Sequence, residues 1–278
     1  MTSLFDKELV NGVYRQIISS GNLFALDVAR GLVSGITSVN KFGKAPSGVQ
    51  TTATDIWSRA DATPTQQVWL APTAARVHAI VSTSDLDGKT AAPNSVGART
   101  IRVYGLKTWA TAETNEDIAL DGTTAVNTAN SYVIIHRMKV LTHGTTNVNV
   151  GTISATAATD TTVTAVILPG EGQTEMAIYG VPSTQDFYMT RWACAMAKEV
   201  TTQAVQFTLR VNETPDVITT GFLLKNDIYV VSSGASSIDK VFTNPPKYAG
   251  PCIIKVQGVA STADVDAAAA FDGYLVTK

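Results

Sequence analysis

The sequence predicts a mainly β protein: two tandem antiparallel β-sandwich, jelly-roll-like modules preceded by a short N-terminal helical arm. Three observations carry that expectation. Threonine is abundant, 38 of 278 residues, and only Thr2 and Thr37 fall among the first fifty. A chain rich in Thr, Val and Ala suits half-buried pleated surfaces better than exposed helices. In Val205-Gln206-Phe207-Thr208-Leu209-Arg210-Val211 every second residue is apolar, the mark of a strand with one buried face. Several short matches also recur in the same order about 110 residues apart.

Taken in chain order, residues 3–19 read as a helix. Ser3 with Asp6 resembles a capping box, and Phe5, Leu9, Val13 and Ile17 repeat at i+4, widened by Val10, Tyr14 and Ile18. That apolar face is expected to contact another chain, so Phe5, Leu9, Val13 and Ile17 are the candidate assembly residues. A second apolar segment, Leu23 to Ile36, carries Gly31 and Gly35, which weaken any helix there. These parts make up an arm over 1–38. Gly43, Pro46 and Gly48 then suggest a loop-like linker over 39–59.

Beyond the linker, Thr100-Ile101-Arg102-Val103 alternates like the run at 205–211, and Asp87-Gly88, Asp121-Gly122, Gly144, Gly170-Glu171-Gly172 and Gly234 punctuate the strands. Leu70-Ala71-Pro72-Thr73 is answered by Gly180-Val181-Pro182-Ser183, and Thr100-Ile101-Arg102-Val103 by Thr208-Leu209-Arg210-Val211. Ile134-Ile135 with Lys139-Val140 is answered by Ile253-Ile254-Lys255-Val256, and Asn147-Val148-Asn149 by Asp264-Val265-Asp266. The offsets are 110, 108, about 119 and 117 residues. Module 1 is therefore expected over 60–160 and module 2 over 161–278, divided in the Ser/Thr/Ala stretch Ala155 to Thr164.

Composition excludes several classes. Charged residues are 16%, against ~25% in a typical soluble protein. A hydrophobic share of 45% excludes disorder through low hydrophobicity, and a net charge of −2 lacks the basic excess of a nucleic-acid-coating protein. Asp6 and Glu8 stand where a secretory signal has its basic residues, and no apolar run approaches ~18 residues, so no membrane partner is expected. Cys194 and Cys252 each lie in an apolar run and read as buried free thiols, which fits synthesis in a reducing compartment.

No catalytic constellation emerges. His78, His136 and His143 lack metal-ligand spacing, and there is no H-E-x-x-H, C-x-x-C or G-x-S-x-G. Asp85-Leu86-Asp87-Gly88 begins like a calcium loop but lacks the later ligands, so it reads as a turn. Gly170-Glu171-Gly172 carries an acid and is no phosphate cradle. Glu113, Glu116 and Asp117 fall in one polar hairpin-like stretch. Trp57, Trp69, Trp109 and Trp192 are scattered, and Trp109, after Lys107-Thr108, is the one candidate for exposure and sugar contact. No catalytic, metal or cofactor-binding residue is expected, and no cofactor.

Val39-Asn40-Lys41-Phe42-Gly43, Gly97-Ala98-Arg99-Thr100 leading to Val103-Tyr104-Gly105-Leu106, and Leu120-Asp121-Gly122-Thr123-Thr124 resemble structural proteins of tailed-bacteriophage virions. So does Pro169-Gly170-Glu171-Gly172-Gln173-Thr174 before Met176-Ala177-Ile178-Tyr179-Gly180-Val181-Pro182. The resemblance runs from about residue 39 to the end and rests on turns and strand edges. It implies a non-enzymatic virion component, made in the host bacterial cytoplasm. Its partners would be copies of itself and other virion proteins, such as the major capsid protein or tail proteins. A capsid decoration (cement) role is the first expectation; a tail, collar or fibre-base component with a sugar-binding or host-recognition role is the alternative.

Overall fold

The structure, a computed structural model, describes residues 6–10, 13–17, 21–59, 66–88, 96–197, 203–217, 221–232 and 236–278. It is mainly β, with antiparallel sheets throughout. The expected helix over 3–19 is instead a hairpin of β1 (Asp6–Val10) and β2 (Val13–Ile17), with Val10 opposite Val13 and Leu9 opposite Tyr14. A spacing of four is a multiple of the strand period of two as well as close to one helical turn, so it does not separate the two readings. Phe5 lies outside the described residues.

Helix α1 (Gly21–Ala29) follows. Its end is closed by Gly31 N–H on the Val28 carbonyl at 2.9 Å and Leu32 N–H on the Asp27 carbonyl at 2.8 Å, with Gly31 at φ 71°. That paired closure needs a left-handed residue, which glycine supplies without steric cost.

The expected linker over 39–59 is in fact β3 (Ile36–Val49), a long strand, and β4 (Thr54–Asp55). Its inward positions alternate as a strand requires, but they are Val39, Lys41, Gly43 and Ala45. Small and charged residues at buried positions hide the period from a hydrophobicity reading. Gly43 is required there: a Cβ would lie 2.5 Å from the Ala177 nitrogen and 2.6 Å from the Ile56 oxygen.

The next strands are β5 (His78–Ser82), β6 (Ala98–Leu106), β7 (Thr114–Ala119), β8 (Val126–Asn127), β9 (Ile134–His143), β10 (Ile153–Ala157) and β11 (Val163–Ile167). They form two sheets, ordered β11-β10-β5-β8 and β7-β6-β9. Then come β12 (Ile178–Val181), β13 (Gln185–Met196), β14 (Ala204–Asn212), β15 (Leu223–Val231), β16 (Ser237–Val241), β17 (Lys247–Ala249), β18 (Cys252–Ala260) and β19 (Val265–Thr277). These give β12-β18-β14-β15, with β4 also on β18, and β16-β13-β19-β3, with β17 also on β13.

The pairing order recurs. β5 lies between β8 and β10 as β13 lies between β16 and β19, and β6 lies between β7 and β9 as β14 lies between β15 and β18. Register recurs too: Ile101 faces Val140 and Arg102 faces Lys139, while Leu209 faces Val256 and Arg210 faces Lys255. Asn147 and Asp264, matched in sequence, have φ of 64° and 63°. Pro72 and Pro182 are less alike, since Pro182 directly follows β12 and Pro72 borders no strand.

Two buried clusters underlie this arrangement. One gathers Trp69, Ile80, Ile101, Leu106, Tyr132 and Ile153; the other gathers Val49, Ile56, Phe187, Trp192, Phe207 and Phe271. A division at 160/161 falls between the paired strands β10 and β11, and Ala165 through Leu168 pack in the first cluster. The partner that β11 provides to β10 is provided to β19 by β3, from the other end of the chain. Cys194 and Cys252 are free and buried, and burial pushes the Cys252 thiol up to about 12.

Candidate functional site

Of the residues expected to form an assembly face, Leu9 lies on β1 and Val13 and Ile17 lie on β2, while Phe5 lies outside the described residues. Among the described residues the hairpin is a two-stranded sheet joined to no other.

A different apolar surface stands on the second half. β15 and β16 are end strands of their sheets, and Lys240 Nζ on β16 donates to Asn226 Oδ1 on β15 at 3.0 Å, so the two edges adjoin. Along them Leu223, Leu224, Tyr229, Ile238 and Val241 are exposed, Val241 to 71%. The corresponding edges of the first half are treated otherwise. β7 carries Asn115, Glu116 and Asp117, with Asp117 accepting from Arg102 Nε at 2.6 Å, and β8 is two residues long. Charge and brevity are how proteins blunt a free sheet edge. β15 and β16 also carry Lys225, Asp227, Asp239 and Lys240, but unlike β7 and β8 they expose large apolar side chains among these charges.

A polar cleft of about 380 Å³ opens where the two halves meet. Its side chains come from separate elements: Lys41 on β3, Glu113 just before β7, His136 on β9 and Tyr179 on β12. His136 Nε2 lies 2.6 Å from Glu113 Oε2, and the Tyr179 hydroxyl donates to the same oxygen at 3.4 Å. Lys41 Nζ donates to the His136 carbonyl oxygen. Arg137 Nη2 donates to the Asn40 carbonyl oxygen at 3.2 Å. Burial, then the Arg137 charge, pulls the Lys41 amine down to about 7, with Glu113 opposing. Burial lowers His136 against the pull of Glu113, so the imidazole is neutral and its Nε2–H is the donor. Burial alone would raise Glu113, but His136, Lys41 and Arg137 together hold it below its usual range. His136 Nδ1 is buried without a hydrogen-bond partner. Sequence reading missed this group, because its members are up to 138 positions apart and no short motif joins them.

Other buried polar groups are ties. Asp55 accepts from Lys255 Nζ at 2.6 Å, Trp69 N–H at 2.7 Å and Gln257 Nε2 at 2.9 Å. Asp87 accepts from Ser82 Oγ and from the backbone N–H of Ala98, Val150 and Gly151, all within 2.8 Å. The loop at 85–88 is thus organised by a carboxylate bonding backbone. Among the described residues no group of three or more His, Cys, Asp and Glu side chains is placed to hold a metal ion. Glu116 accepts from Asn130 and Tyr132, Glu113 pairs with His136 and Asp117 with Arg102, so the three acids serve separate partners. Trp57, Trp69 and Trp192 are buried, and Trp109 is half-buried against the first core. His78 is buried and His143 exposed.

No protein-family model matches the chain, and no curated protein matches it. Among solved structures, that of infectious bursal disease virus Gx strain aligns over 87% of this chain and 79% of that one, at 10% identity and a TM-score of 0.11. A likeness that low carries no argument about fold or function.

Proposed function

We propose that this chain is a non-enzymatic structural protein of a tailed-phage virion, a capsid decoration protein that binds copies of itself and other virion subunits. The observation that carries the reading is the contrast between equivalent edges: β7 and β8 expose no large apolar side chain, whereas β15 and β16 expose Leu223, Leu224, Tyr229, Ile238 and Val241. Exposed apolar side chains on a free edge are what a subunit contact can use. The finer architecture belongs to the same reading: two tandem antiparallel β-sandwich modules, supported by the repeated pairing order and by the shared register at Ile101 and Leu209. The tail or fibre-base alternative with sugar contact through Trp109 gains nothing, since that ring packs on the first core. Immunogold electron microscopy of virions, with antibody against the purified chain, is expected to label heads. Label confined to tails moves the protein to the alternative, and particles without label remove the virion reading.

A further inference from the structure

Assembly through the β15–β16 edge leaves the cleft between the halves without a use. The tie from Lys41 to the His136 carbonyl accounts for how β3 is held to β9, but it does not account for Glu113. Both protein contacts of this carboxylate, from His136 and Tyr179, fall on Oε2. Oε1 takes no hydrogen bond from the described residues, and the side chain is 38% exposed where it lines the cleft. One oxygen is clamped and the other presented.

We propose that this cleft binds a neutral saccharide through a hexopyranose unit, with Glu113 Oε1 accepting from its hydroxyls. The charges select that class. Glu113 faces a ligand as an acceptor and repels a carboxylate or phosphate brought close to it. Lys41 and Arg137 stand beside it and oppose an ammonium group. What remains is an uncharged donor, and a hydroxyl is the commonest. The rest of the lining suits a sugar. Gln185 offers an amide whose side chain makes no hydrogen bond to the described residues, and the Asn40 Nδ2 donates to Asp272 while its Oδ1 remains an acceptor. The half-buried Tyr104 ring supplies an apolar face for the C–H side of a pyranose. At about 380 Å³ the cleft falls within the ~300–1,000 Å³ range of small-molecule sites. The neutral His136 keeps the carboxylate oriented, so the acceptor is set before the ligand arrives. The inference stands whether or not the assembly reading holds.

Saturation-transfer difference NMR on the full chain tests it, with the methyl glycosides of glucose, galactose, mannose and N-acetylglucosamine as probes. Transfer to at least one probe is expected, reduced more than fivefold in Glu113→Gln and in Tyr104→Ala. Glucosamine and glucuronate, which add an ammonium and a carboxylate, are expected to give several-fold weaker transfer than methyl glucoside. Near-UV circular dichroism checks each variant. Where Glu113→Gln loses its native spectrum, Tyr104→Ala and Gln185→Ala decide the matter. No transfer from any of the four glycosides overturns the proposal. So does transfer that survives these substitutions in folded protein, or charged sugars that bind as well as neutral ones.

Discussion

His78 and Asp55 show two ways of keeping an ionisable group in a dry interior. His78 is fully buried with its Nδ1 3.0 Å from the Arg76 carbonyl, and burial lowers its pKa to about 4. The unfolded chain takes up that proton near pH 6.5, so it binds more protons than the folded one throughout the interval between. Stability is therefore full above pH 6.5 and falls as pH drops towards 4, by at most about 3 kcal/mol from this group. Urea midpoints at pH 7 and pH 4.5 check this, and His78→Phe should flatten the slope without abolishing it, because the lowered His136 acts in the same direction. Asp55 instead keeps a partner, and burial raises its carboxyl even against the Lys255 charge. Lys255→Met leaves that carboxylate uncompensated and is expected to cost about 3–5 kcal/mol at pH 7. The loss should shrink as pH falls, because burial raises the Asp55 carboxyl and favours its neutral form; a loss equal at pH 7 and at pH 4 contradicts the account.

Strands differ in how openly they declare themselves. β6 and β14 are legible because Ile101, Val103, Phe207 and Leu209 put bulky groups at every second position. β3 is illegible for the opposite reason: its core-facing positions include Lys41, which bonds the His136 carbonyl, Gly43, where a Cβ would meet backbone, and the small Ala45. The candidate cleft was beyond local reading altogether, since Glu113 meets His136 only after β6, β7 and β9 have paired. Free edges carry their own prediction. Leu224→Lys with Val241→Lys replaces two exposed apolar side chains of these edges by charges, and surface changes of this kind alter stability by only about 0.5 kcal/mol. Sedimentation is expected to show the native chain self-associating and the double variant monomeric at the same melting temperature. An unchanged distribution removes β15 and β16 as the contact.

At the scale of the molecule, β3 and β4 belong to the second core although the whole first half separates them in sequence from β12 onward. A chain beginning at residue 21 is expected to keep both cores. One beginning at residue 57 should keep the first and lose the second, because β19 then lacks β3 and Lys255 lacks Asp55. Acrylamide quenching reads the difference: Trp192 becomes accessible while Trp69, in the other cluster, stays shielded. A cooperatively folded second half without β3 contradicts this account.

The same pairing sets a timetable for synthesis. Ile36 is opposite Val276, so β3 leaves the ribosome long before β19, the strand that covers its edge. The first half can complete its own sheets during that interval, since N-terminal units fold first as the chain grows. The second half cannot. A polypeptide released a dozen residues early leaves most of β19 unmade, with β3 an open edge ready to pair with a stranger. Only once β19 has formed is that edge hidden, so the fold itself separates chains that carry β19 from those that lack it.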